Sequence, residues 1–266
     1  MTPTLSALNI FPVKSCAPLV LDSASVEPRG LAHDRRWIVT DESGRFFTGR
    51  QHPRLTLLRA VPSGDGLDLS APGMPPLHLD APRPAERLEV TVWKNTVDAV
   101  PAQAEADAWI SEFLGLPARI AFMDQDCERL VDPAWSKPGD EVSFADAFPL
   151  LLISQAALDA LNAKLAAPVP MLRFRPNFVV AGTEPHAEDG WKRVRIGEIE
   201  FDLVKPCSRC VFTTVDFTTG TFDPSGEPLR TLTTYRRTER GVTFGQNVIP
   251  RGTGTVRVGD PVEVLA

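Results

Sequence analysis

The chain has 266 residues, 43% of them hydrophobic and 23% charged, a balance that supports a buried core without a disulfide scaffold. Its net charge of −6, with no long basic run, disfavours nucleic acid or an acidic membrane as the main partner. The four cysteines are too sparse for a secreted framework, the start Met1–Leu5 lacks a signal-peptide pattern, and the longest apolar run, Phe148–Ile153, is too short to span a bilayer. The expectation is a soluble, reduced, cytoplasmic protein that does not insert in a membrane.

Short strands dominate the first half. Ala7–Phe11 ends at Pro12, Leu19–Glu27 closes at Pro28-Arg29-Gly30, and His33–Thr40 enters a third strand. The turn Asp41-Glu42-Ser43-Gly44 leads into Arg45–Thr48 as a hairpin, and Arg54–Val61 reads as strand. Leu67–Ser70, Leu77–Leu79, Leu88–Trp93 and Thr96–Val100 follow between turns, the punctuation of a barrel or sandwich. Ala104–Leu114 changes period: Ala106, Trp109, Ile110, Phe113 and Leu114 fall at helical spacing, and Gly115-Leu116-Pro117 ends the helix. Arg119–Phe122 is a strand, and polar Asp124–Asp140 is a loop.

In the second half Phe148–Ile153 reads as a buried strand, with Ser154 capping a helix over Gln155–Ala166. Phe178–Ala181 and a hairpin about Gly197 (Trp191–Ile196, Glu198–Val204) precede Cys207-Ser208-Arg209-Cys210. The β-branched run Val211–Val215 favours strand; Leu229–Tyr235, Val242–Asn247, Thr255–Val258 and Val262–Leu265 complete the pattern. The predicted class is mostly β with a few helices (α+β), in two units, 1–122 and 123–266.

Three groups of residues carry chemistry. The first is the Cys207/Cys210 pair, flanked by Lys205 and Arg209, cations that favour thiolate. Thiolate is a soft metal ligand and a nucleophile. A zinc site needs further ligands, and the other cysteines and the four histidines are scattered. A thioredoxin-like pair would open a helix; buried structural cysteines remain an alternative. The second group is three basic loops at strand boundaries: Lys14-Ser15, His33-Asp34-Arg35 and Arg175-Pro176-Asn177. Together they suit a phosphate; singly each could be surface charge or an ion pair such as Asp34 with a neighbouring Arg. The third is Asp146, beside an apolar run, which could move a proton, support a metal from the outer sphere or cap a strand. No Gly-rich phosphate loop and no Gly-x-Ser-x-Gly elbow occurs.

These motifs occur in a telling order: Ile10-Phe11-Pro12-Val13-Lys14-Ser15, Gly30–Arg35, Thr48-Gly49-Arg50-Gln51, Val142–Asp146, Phe174-Arg175-Pro176-Asn177, Lys205–Val215, Gly226–Leu229 and Phe244–Asn247. In that order they resemble the MOSC-domain proteins of the YcbX type, relatives of the mitochondrial amidoxime-reducing component. The resemblance implies an N-terminal β-barrel-like MOSC domain and a C-terminal MOSC β-barrel that binds molybdenum cofactor (Mo-molybdopterin). It implies Cys210 as the thiolate ligand to molybdenum, with Cys207 a supporting neighbour. Lys14, Ser15 and Arg35 would hold the cofactor's phosphate, and Arg175, Ser208 and Arg209 would line its pterin. Asp146 would stand near the metal, Ala147 and Phe148 would add backbone contacts, Asn177 would orient the site and Asn247 would touch the cofactor. Ala147, Phe148 and Asn247 depart from the residues the amidoxime-reducing relatives carry.

The implied activity is molybdenum-dependent, N-reductive detoxification of small N-hydroxylated compounds such as hydroxylamino-purines or amidoximes. The YcbX type often carries an iron–sulfur domain, which four cysteines cannot supply. Electrons are therefore expected from a separate donor protein, a flavin or iron–sulfur reductase. Two other implications of the family are a cofactor carrier or sulfur-transfer module using a Cys210 persulfide, and a family-level association with pyridoxal phosphate. A metal-free structural barrel is the remaining reading.

Overall fold

A computed structural model describes residues 2–83 and 86–266. Its backbone is mostly β, with α-helices at Ala104–Leu114, Gln155–Asn162 and Leu229–Tyr235 among the described residues. The largest sheet has nine strands. Its centre is the strand Leu150–Ser154, parallel to Phe178–Ala181 on one side and antiparallel to Gly241–Pro250 on the other. Leu150–Ser154 is buried along its whole length, which is why it reads as an unbroken apolar run rather than an alternating one.

The expected boundary at residues 122/123 is crossed by strand pairing. Thr4–Ile10 pairs with Phe178–Ala181, and Ser23–Glu27 pairs with Gly254–Arg257. Leu5, Leu8, Ile10, Val26 and Leu31 are thus packed in one core with Phe178, Phe201, Val248 and Val256. The remaining N-terminal strands build a four-stranded sheet (Trp37–Thr40, Arg119–Phe122, Asn95–Pro101, Leu88–Val92) and a three-stranded one (Arg59–Ser63, Gly66–Ser70, Leu77–Leu79). Helix Ala104–Leu114 lies over a second core, burying Ala106, Trp109, Ile110 and Phe113, four of the five positions its period predicts; Leu114, at the helix end, is only partly buried. Gly115 ends it at φ 72, a left-handed conformation that favours glycine.

The Ser154 cap is present, its side chain accepting from Ala157 N, and the helix it starts is shorter than predicted, Gln155–Asn162. Two predicted strands, Arg54–Val61 and Val211–Val215, begin instead as 3₁₀ turns and become strand only at Arg59 and Val215. Pro53–Leu57 is one, because Pro53 at its start lacks an N–H and presets φ for a turn. Val211–Thr214 is the other, held by Thr213 and Thr214 side chains donating back to the Cys210 and Val211 carbonyls; local side-chain bonds here outweigh β propensity. Leu229–Tyr235 is helical. All four cysteines are free, and among the described residues no helix is long and apolar enough to cross a membrane.

Candidate active site

A cavity opens where the two halves meet, and every site residue expected from the sequence lines it: Lys14, Ser15, Arg35, Asp146, Ala147, Phe148, Arg175, Asn177, Ser208, Arg209, Cys210 and Asn247. Segments far apart in sequence deliver them. Lys14 and Ser15 follow Thr4–Ile10, Asp146 precedes Leu150–Ser154, and Arg175 precedes Phe178–Ala181. Ser208 ends the strand Ile199–Ser208. Register shifts after Leu203 and after Pro206 in that strand's pairing with Gly241–Pro250 re-aim the Lys205–Ser208 segment. Left-handed backbone is concentrated here. Ser15 (φ 68), Arg35 (φ 52), Trp93 (φ 55) and Arg175 (φ 57) all line the cavity, and only two other non-glycine residues, His33 and His186, share that conformation among the described residues. Such strain marks functional loops.

The floor is built on the buried Phe11 ring. The guanidinium carbons of Arg35 and Arg175 lie 4.5 and 4.0 Å from its centroid, cation–π contacts that set both forks without consuming all their donors. Arg35 pairs with the fully buried Asp34, which accepts from Phe11 N at 2.7 Å. Arg175 donates to the Cys16 carbonyl at 2.7 Å. Burial pulls Arg175 down to about 9, with Arg35 pushing the same way. The Asn177 amide is committed internally: Nδ2 donates to Asn9 O and Asp34, and Oδ1 accepts from Leu151 N. It therefore positions the Asp34–Arg35 pair. Ser15 Oγ accepts from Gly49 N at 3.1 Å, which leaves the hydroxyl proton free to donate.

At the mouth, Lys14 Nζ donates to the Phe144 carbonyl at 2.8 Å and to Asp146 Oδ1 at 2.5 Å. Lys14 is only 5% exposed, and burial pulls it down to about 8 against the opposing pull of Asp146. The protein around Asp146 would raise its pKa, but 60% of its side-chain surface reaches solvent, so that effect is the weaker one. Lys14, with help from Arg50 and the Trp93 indole N–H, holds the carboxyl well below the usual carboxylate range. Behind it Arg129, unforeseen from the sequence, clamps the loop by donating to the carbonyls of Ser143, Ala145 and Asp146.

The cysteines separate by environment. Arg209 donates to Cys207 Sγ at 3.0 Å and to the Phe174 carbonyl, so the guanidinium expected beside Cys210 serves Cys207. Cys210 Sγ makes no hydrogen bond within the described residues, while its carbonyl receives the Thr213 N–H and hydroxyl. Ser208 Oγ donates to the Arg240 carbonyl, and Asn247 Nδ2 to the Lys205 carbonyl. The cavity also contains residues given no role from sequence: Phe46, Thr48, Gly49, Arg50, Trp93, Arg173 and Phe212. The motif Thr48-Gly49-Arg50 was visible; Trp93 and Arg173 had no signal beyond their residue type.

Six cations (Lys14, Arg35, Arg50, Arg173, Arg175, Arg209) face one carboxylate, Asp146, around this cavity, in a chain of net charge −6. Three buried guanidinium nitrogens, Arg173 Nε, Arg175 Nη2 and Arg209 Nε, have no acceptor in the protein. Buried donors without partners are costly, and together with the clustered cations they make this cavity a favourable place for an anionic group. Among the described residues no three His, Cys, Asp or Glu side chains group to hold a metal ion. A metal here would need to bring ligands of its own and take a single thiolate from the protein. The cations suit an anionic, phosphate-bearing group, and the Cys210 thiol beside them suits a soft metal.

The sequence matches the MOSC N-terminal beta barrel domain over residues 2–117 and the MOSC domain over residues 139–263. The chain is 35% identical to mitochondrial amidoxime-reducing component 1 of Mus musculus, covering 98% of this chain and 82% of that protein. The Homo sapiens component 1 is likewise 35% identical, over 98% of this chain and 83% of its own. This chain belongs to the MOSC-domain family of the amidoxime-reducing components. Human amidoxime reducing component 2 is 33% identical over 97% of this chain and 82% of its own length. The similarity therefore spans both halves of the cavity.

Proposed function

We propose that this protein is a molybdenum cofactor-dependent reductase of small N-hydroxylated compounds, supplied with electrons by a separate redox protein. The observation that carries the reading is the convergence on one cavity of six cations, three of them with unpartnered buried nitrogens, and two free thiols, of which only Cys210 lacks a hydrogen-bond partner among the described residues. The names of the relatives, amidoxime-reducing components, support the reaction class. The overall change is N–OH plus two electrons and two protons to N–H plus water.

Lys14, the Ser15 hydroxyl and Arg35 hold the cofactor's phosphate by charge-assisted hydrogen bonds. Arg175 and Arg209 line the pterin's place with their guanidinium groups, and Ser208 retains acceptor capacity toward it. Cys210 supplies the thiolate. Bound there, the cofactor supplies a metal in a sulfur-rich set that exchanges two electrons. The protein's own work is placement and proton management. Asp146 is ionised at neutral pH, so it accepts a substrate N–H rather than storing a proton. The exchangeable proton of the pair stays on Lys14 Nζ, 2.5 Å from Asp146 Oδ1, so protons for the leaving hydroxyl come from Lys14 or from solvent at the mouth rather than from Asp146.

The test is metal content by mass spectrometry for wild type and Cys210→Ala, with reduction of a hydroxylamino-base by a chemical electron donor. Near-stoichiometric molybdenum, lost in the variant and accompanied by turnover, supports the reading. Metal-free wild type from a cofactor-producing host overturns it. Full loading without turnover overturns the reductase in favour of a carrier.

A further inference from the structure

Beyond its hydrogen bond to Asp146, Trp93 has been given no role toward a substrate, yet its setting is unusual. It sits between the strands Leu88–Val92 and Asn95–Pro101, at the turn of a hairpin. Its backbone is left-handed, φ 55, which a bulky residue adopts only at a cost. It leaves 42% of its surface exposed. A hairpin turn has cheaper occupants at that conformation, such as Asn or Gly. The indole is nevertheless held from several sides. Its Nε1–H donates to Asp146 Oδ1 at 3.3 Å, Phe46 packs at 4.9 Å and 73°, and the Arg50 guanidinium lies 4.5 Å from the ring.

The position explains the investment. Trp93 lines the cavity that contains Cys210, and it also lines a recess bounded by Arg45, Gln51 and Thr91. Phe46, Thr48 and Arg50 are likewise shared between the two. The indole therefore forms part of a wall shared by the reactive cavity and the neighbouring recess. Asp146 beside it has about four acceptor sites, and Lys14, Trp93 and Arg50 use three. One acceptor position remains for a ligand donor.

We propose that Trp93 is a specificity-determining residue: planar, N–H-bearing N-hydroxylated compounds (hydroxylamino-heteroaromatics and aryl amidoximes) pack on its indole and donate to Asp146, and are preferred over compact aliphatic ones. This rests on the reductase reading for the reaction and on the cavity geometry for the preference. Aromatic stacking tolerates many ring systems because each has a π face, so the preference is for flatness rather than for one base.

The experiment uses cofactor-loaded wild type, Trp93→Ala and Trp93→Phe. Binding of benzamidoxime and of acetamidoxime is measured by calorimetry, and the KM of each with a chemical electron donor. In Trp93→Ala the affinity for benzamidoxime falls on the order of tenfold, the loss of one stacking contact, while acetamidoxime stays within about twofold; Trp93→Phe keeps most of the preference. Equal losses for both compounds, or no loss for either, overturn the proposal. Trp93-dependent binding without any turnover leaves the proposal standing and sinks the reductase reading. Turnover with unchanged selectivity in Trp93→Ala does the reverse. Should Trp93→Ala fail to fold, the same comparison on Trp93→Gly, which suits φ 55, decides the matter.

Discussion

Lys14 and Asp146 form an ion pair whose partners are unequally solvated, and that asymmetry can be measured. Lys14 is buried, whereas Asp146 faces solvent at the mouth. Asp146→Asn removes the counter-charge from a buried ammonium and leaves it the Phe144 carbonyl and a neutral amide. Truncating one member of a fully buried pair costs about 3–5 kcal/mol; with one partner at the surface, the expected loss is about 1–3 kcal/mol. Lys14→Met instead removes the group that burial penalises and exposes a carboxylate that water can solvate, so it costs less than Asp146→Asn.

The pH dependence carries the sign. Lys14 titrates at about 8 in the folded protein against 10.5 for an ordinary lysine. Between those values the unfolded chain binds more protons, so this residue makes stability rise with pH. Loss of Asp146 lowers the folded pKa further, at about 1.4 kcal/mol per unit. The lysine's share of the Asp146→Asn deficit is therefore full only below the variant's own, lower Lys14 pKa, shrinks as pH rises from there to about 8, and is gone above it, where the lysine is neutral in both proteins. Urea unfolding of wild type and both variants at several pH values between neutrality and mild alkalinity reads this directly. A deficit that stays constant across that range, or a Lys14→Met loss exceeding that of Asp146→Asn, refutes the reasoning.

Cys210→Ala should shift stability by no more than about 0.5 kcal/mol, since its Sγ bonds nothing in the protein, while abolishing retained molybdenum; a large fall in Tm would show a structural role instead. Arg175→Lys loses the planar stack on Phe11 and the fork to the Cys16 carbonyl, costing about 1–3 kcal/mol, with weaker cofactor retention read by metal content after gel filtration. In Gly49→Ala, the added Cβ would lie 2.2 Å from the Phe212 ring. Moving that ring costs about 1–3 kcal/mol and disturbs the turn after Cys210, checked by denaturant midpoint and turnover together.

The sequence by itself determined the β-rich class, the helix Ala104–Leu114 and the Ser154 cap, because periodicity and capping act over a few neighbouring residues. Its motif order also named the family and all twelve expected lining residues. Tertiary structure alone decided what those residues do to one another. Thr4–Ile10 and Ser23–Glu27 pair with C-terminal strands, since pairing is set by long-range register that local pattern does not encode. Val211–Thr214 turned into a 3₁₀ segment because side-chain bonds to nearby carbonyls prevailed over β preference. Asn177 became a brace, Arg209 a partner of Cys207, and Asp146 a carboxylate held by Lys14, each through contacts between segments distant in the chain. Trp93 and Arg129 were silent in the sequence for the same reason: an exposed indole in a turn or a buried guanidinium has meaning only once folding places it beside Asp146.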